Sequence, residues 1–280
     1  MSDAAGGARP PALTIVVAAA SGEAGVHDTV AALAGQLDDD IEIVVEARPG
    51  ALVPELWAEG VRRARGELVG LLSGDALPDP DWVQRTVELH RDGTTAAGGP
   101  IEPGPGLGAT DWAVYFCRYA AYGLPLLATE HGEIPGDNAS YRGDALRAHA
   151  SAYAEGFWEP FVHRVLREDG YSLRMATTRI VRFRAGTDAT AFRRQRFAHG
   201  RHHGELRSIG LPRRRILLEA TTAPLVPLLM TARAGRAVFR RRRHRLRFVA
   251  ATPLLLWFYG WWAAGELTGR LRAAVRARRR

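Results

Sequence analysis

The chain has 280 residues, of which 46% are hydrophobic, so it can bury a substantial core and is not disordered throughout. Its single cysteine, Cys117, excludes an internal disulfide bond, and a reducing cytoplasm is the expected compartment. The net charge of +8 conceals two segments of opposite sign, because residues 1–212 carry 21 Arg against 28 Asp and Glu, whereas residues 213–280 carry 17 Arg against two Glu.

Short apolar runs alternate with amphipathic stretches over the first 90 residues, after a leader at 1–11 that we expect to be flexible. Three apolar runs bounded by polar residues or glycine predict strands: 13–18, 41–45 and 68–72. Three stretches with helical spacing or cap signals predict helices, with Asp28 and Asp79 capping the first and third: 28–37, 52–64 and 79–90. This β-α-β-α-β-α order predicts an α/β fold with a mainly parallel sheet.

The rest of the chain has weaker signals for secondary structure. Five stretches are distinguished there: a glycine-rich stretch at 95–105, an aromatic-rich helix or coil at 110–122, a loop at 130–141, a helix at 160–168 and one or two strands at 172–183. Residues 195–207 form a polar segment rich in arginine and histidine that leads into the basic tail.

Two carboxylates, Glu46 and Asp75, stand at the ends of consecutive predicted strands. Ligands of open α/β sheets bind at the carboxyl ends of the strands, which makes Asp75 the first candidate for function. The turn at 19–25 is neither a GxGxxG nor a Walker loop, which disfavours dinucleotide and P-loop binding. A nucleotide held through a divalent ion remains, since Mg²⁺ or Mn²⁺ can bind one carboxylate, phosphate oxygens and water. Such an ion would neutralise a departing diphosphate as a Lewis acid.

Several separate motifs in this order resemble the family 2 glycosyltransferases, inverting GT-A enzymes that use nucleotide-diphosphate sugars. The matching stretches lie between about residues 12 and 210: 41–46, 63–67, 72–75, 78–82, 135–142 and 157–159. The chain departs from the family in its first loop, at Glu46, where aspartate is common, and at Ser73, where the family has another carboxylate. The resemblance implies a GT-A domain at 12–212, followed by a membrane-associated helical tail at 213–280.

The resemblance also implies roles for individual residues. Asp75 would hold a divalent metal ion on the sugar nucleotide, Glu46 would contact the nucleoside, and Glu159 would be the general base that deprotonates the acceptor hydroxyl. Asn138 is a candidate in a loop that faces the acceptor in the family. Arg196 and Arg201 match loosely a family segment that meets the diphosphate, and arginine suits phosphate contacts, although a solvated basic face is the alternative.

Glu159 has aromatic neighbours in the sequence. Phe157, Trp158 and Phe161 would desolvate its carboxylate and raise its pKa, which suits a base that works near neutral pH. The alternative is that Glu159 merely precedes the helix that begins at Pro160, although glutamate is not a favoured N-cap residue.

Two other groups of residues that suggest a metal site have simpler explanations. Asp79 and Asp81 are explained as the cap and the first-turn acid of a helix. Three histidines, at 199, 202 and 203, suggest a zinc site because residues four apart share a helical face. No cysteine and no properly spaced fourth ligand accompany them, which disfavours zinc.

The tail contains two apolar stretches separated by arginines. Residues 248–265 carry no charge and reach the lower limit for a membrane span, whereas 216–232 contain Glu219 and two prolines. If both stretches crossed as a hairpin, the seven arginines between residues 236 and 247 would face the non-cytoplasmic side, against the positive-inside rule. The sequence therefore predicts interfacial or re-entrant helices on the cytoplasmic leaflet.

These features predict a membrane-associated glycosyltransferase whose acceptor is lipid-linked or part of an envelope polysaccharide. A catalytically silent GT-A domain that binds a sugar nucleotide or a partner enzyme is the first alternative. An arginine-tailed nucleic-acid binder is the second, but long uncharged apolar runs beside the arginines are more typical of a bilayer surface, so no nucleic-acid partner is expected.

Overall fold

The computed structural model describes residues 9–22, 26–127 and 133–277. Most of the predicted leader lies outside these residues, as do part of the turn at 19–25, part of the loop at 130–141 and the last three arginines. Contacts divide the chain into two units, which are described separately: Met1–Glu102 with Leu126–Phe183, and Pro103–Pro125 with Arg184–Arg280.

Strands and helices alternate over most of the described chain. The strands are β1 (Leu13–Ala19), β2 (Ile41–Ala47), β3 (Leu68–Ser73), β4 (Ala76–Pro78), β5 (Ala96–Gly98), β6 (Ile101–Pro103), β7 (Ala139–Arg142), β8 (Leu173–Met175) and β9 (Val181–Phe183). The α-helices are α1 (His27–Leu33), α2 (Val53–Arg63), α3 (Trp82–His90), α4 (Ala109–Tyr119), α5 (Gly143–Ala148), α6 (Glu159–Glu168), α7 (Ala189–Arg207), α8 (Arg213–Ala220), α9 (Val226–Arg241) and α10 (Arg245–Arg276). Short 3-10 helices lie at Ala34–Gln36, Gly136–Asn138, Ala150–Tyr153 and Ala223–Leu225.

A six-stranded sheet in the order β2-β1-β3-β7-β5-β8 forms the centre of the first unit. β1 is parallel to β2 and β3, and β8 is parallel to β5, whereas β7 is antiparallel to both of its neighbours. Five strands therefore run in one direction, and the predicted α/β class with a mainly parallel sheet is confirmed. A second sheet has the strand order β4-β9-β6.

Helices pack on both faces of the sheet at its central strands, and all residues of β1 are buried. On one face α2 approaches so closely that a Cβ at Gly60 would lie 2.3 Å from Val16 Cγ1. On the other face Trp82 of α3 is fully buried against β3, where a Cβ at Gly70 would lie 2.8 Å from its ring. This double burial explains why β1 and β3 are nearly continuous apolar runs.

The predicted strands at the start of the chain are confirmed, each one or two residues longer than expected, but two helix starts differ. Asp28 lies inside the first turn of α1, whose N-cap is Val26. Asp81 occupies the N-cap of α3, while Asp79 pairs with Arg182 at 3.0 Å instead of capping the helix. The cause is β4, which is too short to be predicted and whose pairing with β9 places Asp79 beside that strand.

In the second unit α7 and α10 lie parallel and pack backbone to backbone. A Cβ at Gly200 of α7 would lie 2.0 Å from Trp262 O, and a Cβ at Gly265 of α10 would lie 2.1 Å from Phe197 O. Gly204 and Gly269, four residues further along each helix, repeat this approach, which is the spacing that lets helices touch closely. The predicted polar segment 195–207 is part of α7 and therefore lies in the second unit, and the predicted domain boundary at residue 213 stays a prediction.

One helical stretch of the described chain, Arg213–Arg241, is long and apolar enough to cross a membrane by length and composition, and little of it is buried. This stretch comprises α8, a 3-10 helix and α9, and its prolines lie in first turns, where they are tolerated. The predicted apolar run 248–265 lies within α10 and does not meet the same criterion. How either stretch meets a membrane stays a prediction.

Candidate active site

Asp75 lies on the turn between β3 and β4, at the carboxyl edge of the parallel strands. The neighbouring Gly74 N–H donates to Ala18 O at the end of β1, at 2.9 Å, and Thr29 Oγ1 donates to Ser73 O at 3.3 Å. Asp75 itself is half-buried. The predicted position of Asp75 at the end of a buried strand is thus observed, and its binding role stays a prediction.

The surroundings of Asp75 suit a hard divalent cation whose remaining ligands come from the bound diphosphate and water. Among the described residues there is no group of three or more His, Cys, Asp or Glu side chains that could hold a metal ion. Asp75 offers one carboxylate, and the buried hydroxyl of Ser73, two residues earlier, has no hydrogen-bond partner within the described structure. One carboxylate with phosphate oxygens and water is a donor set that Mg²⁺ accepts, so the residues fit a cation brought in with a diphosphate.

Glu159 is the first residue of α6 and contacts the turn that precedes β7. Its Oε1 accepts a hydrogen bond from Gly136 N at 3.2 Å. A Cβ at Gly136 would lie 2.4 Å from that oxygen and 2.6 Å from the ring of Trp57. Trp57 in turn donates from Nε1 to Leu72 O, at 2.9 Å, near the end of β3. Because β7 is antiparallel to β3, Glu159 is tied to the same edge of the sheet that carries Asp75.

The aromatic residues next to Glu159 in sequence have other contacts. Phe157 is fully buried and packs edge to face against Tyr141, with ring centroids 5.3 Å apart. Trp158 donates from Nε1 to Glu155 O at 3.3 Å. The predicted rise in the pKa of Glu159 stays a prediction.

Glu46 lies at the end of β2 and forms an ion pair with α2. Its Oε1 accepts a hydrogen bond from Arg63 Nη1 at 2.6 Å. The side chain of Glu46 is mostly buried and that of Arg63 mostly exposed, so a ligand at this position would meet a carboxylate that is already paired. The predicted nucleoside contact stays a prediction.

Asn138 is part of the buried framework and not of an open surface. Its Oδ1 accepts from Trp82 Nε1, and its Nδ2 donates to Pro100 O and Arg179 O, each at 2.9 Å. The side chain is fully buried. These bonds give Asn138 a structural role in the buried framework, and its predicted contact with a ligand stays a prediction.

Arg179 is a buried residue next to Asn138 that the sequence does not single out. Its guanidinium donates to Ala97 O at 2.7 Å and to Asn138 O at 2.9 Å, and it lies over the Trp82 ring. Burial lowers the pKa of Arg179 to about 9. The only available signal was an arginine within a predicted strand region, which is not specific.

Arg196 and Arg201, the predicted diphosphate ligands, lie on α7 in the second unit. The Arg196 guanidinium stacks over Phe192 at 4.7 Å from the ring centroid, and burial lowers its pKa. No carboxylate pairs with either arginine within the described residues. Their predicted contact with a diphosphate stays a prediction.

The histidines of α7 show no metal-site geometry within the described chain. The ring of His203 packs against Trp262, with centroids 5.2 Å apart. Burial lowers the pKa of His203 to about 4 and lowers that of His199 well below its ordinary value. The lowered pKa values favour neutral rings at His199 and His203 near neutral pH.

No family model and no curated relative matches this chain. Among solved structures, it is similar to a mannosyltransferase from Pyrobaculum calidifontis in complex with GDP-Man and Mn²⁺, at 15% identity and a TM-score of 0.44, over 96% of this chain and 87% of that chain. It is also similar to a mycobacterial protein, at 13% identity and a TM-score of 0.43, over 68% of this chain and 73% of that chain. Both similarities concern the arrangement of the chain and assign no residue roles.

Proposed function

We propose that the chain is an inverting glycosyltransferase of the family 2 type, which transfers a sugar from a nucleotide-diphosphate sugar to a hydroxyl group. The observation that carries the proposal is the arrangement at the carboxyl edge of the sheet. Asp75 follows β3 there, and Trp57 joins Leu72 of the same strand to the Gly136–Glu159 contact. Two carboxylates, Asp75 and Glu159, thus lie at one edge of the sheet. This arrangement and the ordered sequence motifs support a reaction in which one acts on the donor and the other on the acceptor.

Glu159 acts on the acceptor in this proposal. Its carboxylate takes the proton of the acceptor hydroxyl while that oxygen attacks the anomeric carbon of the donor sugar. The bond between the anomeric carbon and the diphosphate oxygen breaks, and the nucleoside diphosphate leaves with the electron pair. Attack from the face opposite the diphosphate inverts the anomeric configuration.

Asp75, Glu46 and two arginines act on the donor. Asp75 would hold the divalent cation that accompanies the donor, and Glu46 would contact the nucleoside. When bound, Mg²⁺ or Mn²⁺ supplies Lewis-acid neutralisation of the departing charge. For Arg196 and Arg201, a contact with the diphosphate is proposed from the sequence motif alone, because arginine suits phosphate contacts.

The second unit is proposed to hold the enzyme on the cytoplasmic leaflet of a membrane, where a lipid-linked or envelope-polysaccharide acceptor would be reached. Support comes from exposed apolar side chains that lie close to arginines in the chain, such as Leu246 and Val249, which are 87% and 57% exposed. Trp261 is partly exposed and carries the Arg193 guanidinium 4.8 Å from its ring centroid. Tryptophan and arginine together are typical of the headgroup region.

A panel of UDP-, GDP- and dTDP-sugars tests the reaction, with Mg²⁺ or Mn²⁺ and the intact membrane fraction as the source of enzyme and acceptor. Transfer or hydrolysis from at least one donor, abolished by a chelator, is the expected result. No turnover from any donor would contradict the proposed enzyme.

A catalytically silent nucleotide-binding domain is the second candidate, favoured by the single carboxylate at Asp75 and by the pairing of Glu46 with Arg63. Calorimetry with UDP, GDP and dTDP separates the two. The enzyme predicts binding that tightens with Mn²⁺, whereas the silent domain predicts binding that is indifferent to the metal, without turnover.

A further inference from the structure

Three side chains on one face of α6 contact the same short segment, residues 133–136. Glu159, His163 and Arg167 are spaced four residues apart, so they lie one above another on the helix. Glu159 accepts from Gly136 N at 3.2 Å, Arg167 Nη1 donates to Glu133 Oε1 at 3.1 Å, and His163 Nδ1 bonds Glu133 Oε2. Residues 133–136 are thus fastened to α6 at both ends.

His163 is the centre of this fastening. Its ring is fully buried, and its Nε2 lies 2.8 Å from the Tyr141 hydroxyl oxygen on β7. With a carboxylate at Nδ1, that nitrogen carries the proton, and Nε2 then accepts from the Tyr141 hydroxyl. His163 therefore connects α6, β7 and residues 133–136, which lead into β7 through one 3-10 turn.

Burial, which outweighs the effect of the Glu133 carboxylate, determines the charge of the His163 ring. Burial lowers the pKa of His163. Burial acts to raise the pKa of Glu133, but hydrogen bonds from His163 and Arg167 outweigh it and leave that pKa lowered. The ion pair is therefore between Glu133 and Arg167, and His163 serves as a neutral hydrogen-bond bridge.

A nucleophilic role for this set is excluded by burial. Tyr141, His163 and Glu133 have the order hydroxyl, imidazole, carboxylate, which also occurs in hydrolases. Tyr141 is fully buried, however, and packs against Phe157, so its hydroxyl is not accessible to a substrate. What the set does present is Gly136, whose N–H holds the Glu159 carboxylate.

We propose that His163 is a positioning residue: with Glu133 it locks residues 133–136 onto α6 and so fixes the direction of the Glu159 carboxylate. Gly136 and Glu159 are in close contact, since a Cβ at Gly136 would lie 2.4 Å from Glu159 Oε1. A shift of residue 136 would therefore be transmitted to the carboxylate. Loss of the Glu133 anchor would therefore move the N–H that orients Glu159. The catalytic consequence rests on the proposed function, whereas the locking of the segment does not.

The test compares Glu133→Ala with a control variant, Glu168→Ala. Glu168 is an exposed glutamate at the end of α6 that forms no ion pair with residues 133–136 within the described structure. Hydrogen–deuterium exchange of residues 133–138 and steady-state kinetics are measured on the full chain. Glu133→Ala is expected to raise the exchange rate of this segment at least tenfold and to lower kcat at least tenfold, with the donor KM within threefold of wild type. Glu168→Ala is expected to match wild type in both.

A pair of substitutions at His163 adds a readout that simple packing would not move. His163→Asn keeps an amide donor near Nδ1 for Glu133 and is expected to retain kcat within threefold, whereas His163→Gln keeps a partner for Tyr141 only and is expected to lose at least tenfold. Wild-type exchange in Glu133→Ala, faster exchange with wild-type kcat, or equal losses at both His163 variants would overturn the proposal. If the wild-type chain transfers no sugar, the proposed function fails. The hydrogen–deuterium exchange measurement then tests by itself whether Glu133 and His163 hold residues 133–136 on α6.

Discussion

Arg179, Ser140 and His90 form one buried hydrogen-bond network beside the edge of the sheet that carries the candidate site. Arg179 Nη1 donates to Ser140 Oγ at 2.5 Å, and His90 Nε2 lies 2.8 Å from the same oxygen. No carboxylate is bonded to the Arg179 guanidinium within the described residues. An uncompensated buried cation disfavours a second positive charge nearby, so the network requires a neutral His90.

The first prediction concerns the acid sensitivity that His90 creates. Burial, with a further effect of the nearby Arg179 charge, lowers the pKa of His90 from 6.5 to about 4. Between these values the unfolded chain binds a proton that the folded chain does not, so the free energy of unfolding falls as the pH decreases through this window. Between pH 7.5 and 4.5 this one group should remove about 2 to 3 kcal/mol.

Denaturant unfolding at the two pH values checks this expectation. His90→Gln should be less stable than wild type at pH 7.5, because it loses packing, but it should lose less stability on acidification. Equal pH dependence in the variant and the wild type would show that His90 is not the group responsible.

Single residues also show what sequence reasoning can and cannot reach. The position of Asp75 follows from a short apolar run that ends in a polar turn, which is local information. The framework role of Asn138 depends on Trp82 and Arg179, which are 56 and 41 residues away along the chain. Such long-range partners have no periodic signal, so a turn-forming residue that resembled a ligand is in fact part of the buried framework.

At the scale of elements, the contact between α7 and α10 depends on glycine in a way that α10 itself can test. A Cβ at Gly265 would lie 2.1 Å from Phe197 O, whereas a Cβ at Gly260 of the same helix has nothing within 4 Å. Backbone cannot move aside as a flexible side chain can, so a methyl group at residue 265 must separate the helices.

Gly265→Ala and Gly260→Ala therefore form a matched pair. Gly260→Ala should leave stability unchanged or raise it by up to about 1 kcal/mol, because alanine favours the helix. Gly265→Ala should lower it by about 1 to 3 kcal/mol through overpacking. The thermal unfolding midpoints of the two variants provide the comparison, and shifts of the same sign and size would refute the close packing.

The helix α7 lacks the signal by which the helices of the first unit are predicted. Residues 195–207 are a polar segment in the sequence. The many arginines and histidines there give no indication that glycines of α7 contact α10. Helical periodicity of apolar residues is the usual signal for packing. In α7 the contact is made instead at glycines, which have no side chain and let the two backbones approach. The three-residue strands β4 and β6 are likewise too short for any alternation to be recognised.

At the scale of the whole molecule, the basic tail has two different uses. Arg241 is buried and donates to Ala120 O and Gly123 O, each at 2.8 Å, beyond the last turn of α4. Its neighbours Arg240, Arg242 and Arg243 are exposed. The formal charge of the tail is therefore larger than the charge exposed at its surface, although several arginines remain exposed.

The proposed membrane role predicts that the full chain binds vesicles containing an anionic phospholipid and binds purely zwitterionic vesicles weakly. Each exposed arginine near the surface contributes about 1 kcal/mol, so binding should weaken as salt is raised. Leu246→Glu with Val249→Glu should reduce binding by removing apolar contact, whereas Leu37→Glu, at an exposed leucine of the first unit, should not. Co-sedimentation measures this, and preference for nucleic acid over anionic vesicles would support the rival partner.

The most direct test of the central claim is a comparison of Asp75→Asn and Glu159→Gln in donor binding and sugar transfer. Asp75→Asn is predicted to lose the dependence of nucleotide binding on Mn²⁺ and, with it, transfer. Glu159→Gln is predicted to bind the donor as the wild type does while transfer falls at least about 100-fold, because only proton removal from the acceptor is lost. Transfer at the wild-type rate by Glu159→Gln, or metal-dependent donor binding by Asp75→Asn, would contradict the account.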